Sequence, residues 1–406
     1  MTDELVPADL PAPGIPLDHP ADGLPEVVES ERGLDEAATA VAGGSGPVSI
    51  DAERASGFRY GQRAYLVQIR REGAGTWLID PIAVPDLSPL DRAIGTGEWI
   101  LHAATQDLAC LAEVGLRPRQ LFDTELAARL LGLPRVGLAA VVEHYLGLVL
   151  AKEHSAADWS KRPLPTAWLR YAALDVEVLG EIRNLMGVDL ARSGKSEWAR
   201  QEFEALLDWA PTARQDPWRR TSGLHRVKGQ RGVAMVRELW FERDRIAAER
   251  DIAPGRIIAD ALLIEIAQHA LGANPPGSLP AGNRAIARYQ RSWLTALDRA
   301  RALRDADLPP VNLPSEGPPP PRAWADKNPL AADRLARTRL ALTAFAEEHS
   351  VPVENVCSPE PLRRVVWTPP PGAPATDAFD AGLAAYGVRP WQREIVAPML
   401  HSAFTA

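Results

Sequence analysis

The sequence predicts an α/β domain built on a mixed sheet, followed by all-α helical modules. Three observations predict it. Residues 47–80 hold three β-rich runs in succession, the last two joined by the turn signal Gly73-Ala74-Gly75. Residues 89–131 alternate short apolar strands with helix-period segments, the pattern of a sheet covered by a helix layer. From residue 137 onward helical periodicity dominates, interrupted by proline-rich breaks.

The chain has 406 residues, 46% of them hydrophobic and 24% charged, which suits a soluble globular protein of two or three domains. Cys110 and Cys357 are the only cysteines and lie far apart. That excludes a disulfide framework or a cysteine zinc site and fits a reducing cytosol. No stretch approaches the roughly 20 consecutive apolar residues of a membrane span. The N-terminus lacks the basic and apolar regions of a signal peptide, so a cytoplasmic location is expected. The net charge of −8 is unevenly spread: residues 1–46 hold ten acidic residues against Arg32 alone, and the remaining 360 hold 44 basic against 43 acidic. The acidity belongs to a tail, and the whole-chain sign does not argue against a polyanionic partner.

Taken in order, residues 1–46 are rich in Pro, Gly, Ala and acid and end in Gly43-Gly44-Ser45-Gly46. They are expected to be disordered or loosely attached, with at most a short helix over 26–42. The α/β domain spans 47–210. Its expected strands are 47–53, 64–70, 76–80, 98–102 and 120–122, and its expected helices 89–96, 107–114, 124–131, 137–146, 166–186 and 196–209. A linker at 211–222 carries Pro211, Pro217 and the pair Arg219-Arg220. A helical module follows at 223–306, with helices over 232–250, 255–271 and 281–302 parted by Ala253-Pro254-Gly255 and Asn274-Pro275-Pro276-Gly277. Residues 307–322 form a proline-rich linker, extended and semi-rigid. Residues 323–406 read as a second helical module with helices over 328–349, 359–366, 376–386 and 390–404.

The chemistry gathers around Ser49-Ile50-Asp51-Ala52-Glu53. In a strand, residues two apart share a face, so Asp51 and Glu53 aim at one point and repel each other unless a cation lies between them. Asp107 follows the apolar run Trp99-Ile100-Leu101-His102 and opens a helix, where an acid also suits the helix dipole. Tyr171 and Asp175, four apart, lie on one helical face. Each has a plain reading alone: a solvated strand end, a helix N-terminal acid, a half-buried tyrosine beside an exposed acid. Together they offer four hard oxygen donors from separate elements, the requirement of two divalent cations about 4 Å apart. An all-oxygen set suits Mg2+ or Mn2+ and not zinc. His102 is expected to pack or hydrogen-bond at its strand end.

This order and spacing resembles the DEDD exonuclease superfamily, in the branch whose last motif carries tyrosine. The resemblance extends to the ribonuclease D family through Lys152, Asp158-Trp159, Arg162-Pro163-Leu164, Tyr171-Ala172-Ala173-Leu174-Asp175-Val176, Leu101-His102-Ala103, Gln106-Asp107-Leu108 and Phe122-Asp123-Thr124. The module at 223–306, with Arg231, Val236, Leu239 and Trp240, is similar to the helicase-and-RNase-D C-terminal (HRDC) domain, and 323–406 is open to reading as a second, diverged copy. The resemblance covers about 47–306 and departs from the family pattern at Ala52, where a hydroxyl residue is common.

It implies a ribonuclease H-like mixed sheet and 3′-5′ exonucleolytic hydrolysis of RNA, with transfer-RNA precursors the family's typical substrate and nucleoside 5′-monophosphates the products. Asp51, Glu53 and Asp175 would hold the cation that activates water, Asp51 and Asp107 would help hold the second, and Tyr171 would orient the water. The same fold acting on DNA, and a non-catalytic nucleic-acid scaffold, remain open alternatives. Arg219, Arg220, Arg226, Lys228 and Arg231 open a basic stretch suited to phosphate contact. Interleaved acids from Glu238 onward make an ion-paired helix face the competing reading there. The tryptophans, including Trp168, Trp198 and Trp240, sit at apolar helical spacing and read as core.

Overall fold

A computed structural model describes residues 14–150, 154, 156–212, 214–275, 277–313 and 317–406; Lys152 of the family signature lies outside them. The described strands are β1 (Ile15–Leu17), β2 (Val27–Val28), β3 (Ser45–Arg54), β4 (Ala64–Glu72), β5 (Gly75–Ile79), β6 (Glu98–Leu101), β7 (Gln120–Asp123) and β8 (Leu148–Leu150). Six form one mixed sheet in the order β2-β5-β4-β3-β6-β7, while β1 and β8 pair separately. β3, β4 and β5 are antiparallel, β6 and β7 run parallel to β3, and β2 runs parallel to β5. Between β4 and β5 the chain reverses through Gly73 and Gly75, both at positive φ, which a residue with a Cβ would adopt only with strain.

Helices α1 (Glu31–Gly43), α2 (Ser88–Ile94) and α3 (Leu108–Glu113) join one apolar cluster with Val48, Ile50, Val67, Ile69 and Trp99 of the sheet. α4 (Thr124–Leu130) and α5 (Leu138–Leu146) follow, then α6 (Thr166–Glu177), which lies across β3, β4 and β5. The helix expected over 166–186 is divided at Val178, and its second half, α7, runs Leu179–Arg192 before α8 (Ser196–Leu207).

The expectation of a loose tail over 1–46 is corrected for residues 14–46, which belong to the fold. Ser30 caps α1 by accepting from the Gly33 N–H at 3.2 Å, and Leu34, Ala37 and Val41 are buried. Those three positions follow i, i+3, i+7 spacing, and burying Leu34 and Val41 stabilises the attachment by about 1.5–3 kcal/mol each. Average composition cannot see so sparse an apolar stripe.

The helical module comprises α9 (Gly229–Arg250), α10 (Pro254–Ile257), α11 (Asp260–Leu271), α12 (Arg284–Arg288) and α13 (Gln290–Ala302). It has its own apolar core, including Leu239, Leu263, Ile264, Trp293 and Leu297. The linkers are less free than their prolines suggest. Trp218 of 211–222 is buried, and the carbonyls of Pro318 and Pro319 accept from Arg363, with Pro319 also accepting from Trp324 Nε1 at 2.7 Å.

The last module, α14 (Trp324–Lys327), α15 (Pro329–Glu348), α16 (Val353–Val356), α17 (Pro359–Trp367), α18 (Thr376–Ala384) and α19 (Pro390–Thr405), does not close a core of its own. Leu335, Leu362, Phe379 and Trp391 form one continuous cluster with Ala127, Val141, Ile182 and Phe203 of the α/β domain. Trp391 stacks on Trp198 with ring centroids 4.5 Å apart. Lys195 Nζ reaches across the join to the carbonyls of Leu130 and His349, both at 2.6 Å. Among the described residues no helix is long and apolar enough to cross a membrane.

Candidate active site

The central strand β3 delivers Asp51 and Glu53 to one face, as strand alternation requires. α6 lies over that face and lowers Asp175 toward them, so that one oxygen from each of Asp51, Glu53 and Asp175 lies within 4.8 Å of the others. Tyr171, one turn earlier on α6, shares a hydrogen bond with Asp175. These groups line a cleft of about 550 Å3 with Asp107, Glu125 and His102.

Burial, then the neighbouring carboxylates of Asp51, Asp175 and Asp107, push Glu53 well above the ordinary carboxylate range. Burial raises Asp51 as well, opposed by the Ala52 N–H and by Arg54. Burial raises Tyr171 far above its ordinary value, and the carboxylates beside it add to the shift. Such a phenol keeps its proton and cannot act as a free base. The donor set itself tests what it can hold: three crowded carboxylates, no sulfur and no ligating imidazole fit a hard divalent cation.

Asp107 stands apart from that tight trio. It precedes α3 and is buried, and it meets the guanidinium of Arg54, with Nε 3.7 Å from Oδ1. Burial and then Asp51 raise it well above its usual range, against Arg54. Its position depends on Asp123, whose buried carboxylate accepts from the Ala103, Ala104, Glu125 and Leu126 N–H groups at 2.8–3.2 Å. Asp123 thereby caps α4 and holds Ala103 in a left-handed turn (φ 58°), the bend that leads into Asp107. His102 Nδ1 lies 2.9 Å from Thr124 Oγ1, and burial pulls the ring down to about 4, so it is neutral at neutral pH.

The family signature between α5 and α6 is scaffold. Arg162 forms a bidentate pair with the buried Asp80 and also donates to the Tyr65 and Trp159 carbonyls at 2.8 Å. Trp159 is fully buried and packs beside Trp168 and Tyr171. Arg162 therefore ties the loop to the sheet, and Trp159 backs the tyrosine.

Sequence reasoning made no claim on Arg54. Strand alternation turns residue 54 away from Asp51 and Glu53, yet the β3–β4 register breaks between Glu53 and Arg54, and the side chain lines the same cleft. The rim is completed by Ser56, Gly57 and Phe58. The helical module holds this rim: Ala253 N–H donates to the Phe58 carbonyl at 3.0 Å, and Arg256 donates to Gly57 at 2.7 Å.

The expected basic patch is corrected in part. Arg219 is engaged by Asp216 and the Pro310 carbonyl and stacks over Trp218. Arg231 is engaged by the Ala300 and Leu303 carbonyls and Asp305. Arg219 is thus engaged by the two linkers and Arg231 within the module. Arg220, Arg226 and Lys228 are exposed and do not line the cleft. Along α9, Arg243 pairs with Asp260, and Arg245 with Glu242 and Glu249.

Comparison with known proteins places these features. A 3′-5′ exonuclease family matches residues 25–191, the HRDC domain family residues 233–271, and a 3′ to 5′ exonuclease C-terminal domain family residues 317–404. The last match is to a family other than the HRDC copy considered for that module. Ribonuclease D of Gluconacetobacter diazotrophicus is 32% identical over 347 residues, 80% of this chain and 82% of that one. The crystal structure of a Bifidobacterium adolescentis protein is similar with TM-score 0.86 and 37% identity, covering 97% of this chain and all of that one. Escherichia coli RNase D, an exoribonuclease involved in structured RNA processing, is similar with TM-score 0.65 and 25% identity over 94% of this chain and 98% of its own.

Proposed function

This chain belongs to the ribonuclease D family and is a hydrolytic 3′-5′ exoribonuclease, and from that premise we propose that it trims the 3′ ends of structured stable RNAs, transfer-RNA precursors among them, with two Mg2+ or Mn2+ ions. The observation that carries the site is the convergence of Asp51, Glu53 and Asp175 oxygens within 4.8 Å. Structured RNA processing by the similar Escherichia coli enzyme supports the substrate class.

When bound, divalent cations supply neutralisation of the charge that builds on a phosphoryl centre and acidification of a water. Asp51, Glu53 and Asp175 would hold one such cation, and Asp107 with Asp51 would help to hold a second. Tyr171 donates to or accepts from the attacking water and sets its direction, because its raised pKa keeps it protonated. Nucleoside 5′-monophosphates leave one at a time. The two free, buried cysteines suit a reducing compartment, the cytoplasm.

The test is digestion of a 3′-hydroxyl single-stranded RNA with Mg2+ or Mn2+ beside an EDTA control and a matched DNA. Stepwise loss from the RNA 3′ end, stopped by chelation, is expected. Faster digestion of DNA would overturn the substrate assignment.

A further inference from the structure

The cleft holds five carboxylates, those of Asp51, Glu53, Asp107, Glu125 and Asp175, and must nonetheless accept the phosphodiester of an RNA 3′ end. Among its described lining residues the one permanently charged cation is Arg54, since His102 is neutral at neutral pH. The charge of Arg54 stands beside Asp51, Glu53 and Asp107, but its N–H donors are barely used. Its Nε lies 3.7 Å from Asp107, an ion pair longer than a hydrogen bond, and its side chain donates no hydrogen bond to any of the described residues. Its side chain is 26% exposed toward the cleft, and Asp107 is 7% exposed. Compare Arg162, whose guanidinium is fully used on Asp80 and three carbonyls.

We propose that Arg54 binds a phosphate at the 3′-terminal linkages of the RNA, its Nε edge steered by Asp107 and its Nη donors presented to the phosphate oxygens. The inference rests on the exoribonuclease reading and adds to it a substrate-binding residue. A planar guanidinium matches a phosphate in bidentate fashion, and partial burial strengthens each charge-assisted bond. The break in register after Glu53 brings the one cation of β3 to the same cleft as the acids of that strand. Asp107 holds the guanidinium only loosely, which leaves it free to tighten on an incoming anion.

The test uses the full chain carrying Asp175→Asn, with Arg54 intact or changed to Gln or Lys. The probes are 5′-fluorescent RNAs with an ordinary backbone or with uncharged methylphosphonates at the two 3′-terminal linkages. Fluorescence anisotropy should show Arg54→Gln binding ordinary RNA about tenfold or more weakly, the worth of one lost charge-assisted contact. Arg54→Lys, which keeps charge but loses the fork, should fall between. The Arg54→Gln penalty should largely vanish on the methylphosphonate RNA. An equal penalty on both RNAs, or no penalty on either, would overturn the proposal. Thermal melting checks each variant, and Arg54→Lys carries the test alone should Arg54→Gln not fold. Wild-type digestion of ordinary RNA is read in parallel. Hydrolysis with affinity indifferent to Arg54 sinks this contact alone, whereas a phosphate-dependent Arg54 effect without hydrolysis sinks the exonuclease reading alone.

Discussion

At the residue scale, the acids are separable by what they do. Asp175→Asn keeps the side chain's shape and removes one charge from a trio whose oxygens crowd within 4.8 Å. We expect turnover of RNA to fall by a thousandfold or more with RNA binding retained, because the nucleophile loses its activation while the groove persists. Single-turnover digestion beside an anisotropy titration measures both, and unchanged turnover would displace the site from this cleft. His102 gives a different signature. Burial lowers it from 6.5 to about 4, so between those values the unfolded chain binds a proton that the folded chain resists. Its contribution is complete above pH 6.5 and is lost as pH falls toward 4, up to about 3 kcal/mol in all. Denaturation across that window should show a shallower acid-side loss in His102→Gln, which retains a partner for Thr124. Strand and helix periodicity assign faces to Asp51, Glu53, Tyr171 and Asp175 and a helix start to Asp107, and the spacing of the motifs groups them. Arg54 was not legible in this way, because a register break overrides the alternation that periodicity assumes.

At the element scale, the described part of the loop between α5 and α6 is tied to the sheet chiefly through Arg162, which pairs with Asp80. Arg162→Ala would strand the carboxylate of Asp80, 5% exposed, and free the loop that backs Tyr171. Removing one partner of such a pair costs about 3 kcal/mol. Urea denaturation measures that loss, and limited proteolysis should cut 156–165 sooner than in the parent; resistance to both would mean that Trp159 alone seats the loop. The signature residues Asp158-Trp159 and Arg162-Pro163-Leu164 were visible in the sequence, but their role as scaffold was not. That role comes from Asp80 and Tyr65, which lie about 80 to 100 residues earlier, and a local pattern carries no information on such partners. The same holds for Asp123, visible within Phe122-Asp123-Thr124 yet defined by the Ala103 and Ala104 N–H groups that it alone collects from the preceding turn.

At the scale of the whole molecule, the two helical modules differ in kind. Residues 223–306 close their own core and, among the described residues, meet the rim of the site at 57–60. Residues 323–406 share theirs with the α/β domain. Gly132 marks the join: at φ +77°, a Cβ there would sit 2.2 Å from the Ser350 carbonyl oxygen. Gly132→Ala should therefore cost about 2–3 kcal/mol through strain and lost contact. Ending the chain at residue 322 should go further and expose the partners of Trp391 and Leu335; size-exclusion chromatography should show aggregates, and a well-behaved monomer would refute the shared core. By itself the sequence determined the α/β-then-α order, the acids proposed for the site and the family they imply, because these rest on local periodicity, turn chemistry and motif spacing. Only the tertiary structure decided that residues 14–46 are built in, that Arg219 and Arg231 are occupied, that Arg54 faces the cleft and that the last module completes the first. Each of those depends on which distant surface a residue meets, and burial against a partner far along the chain leaves no mark on the residue's own neighbourhood.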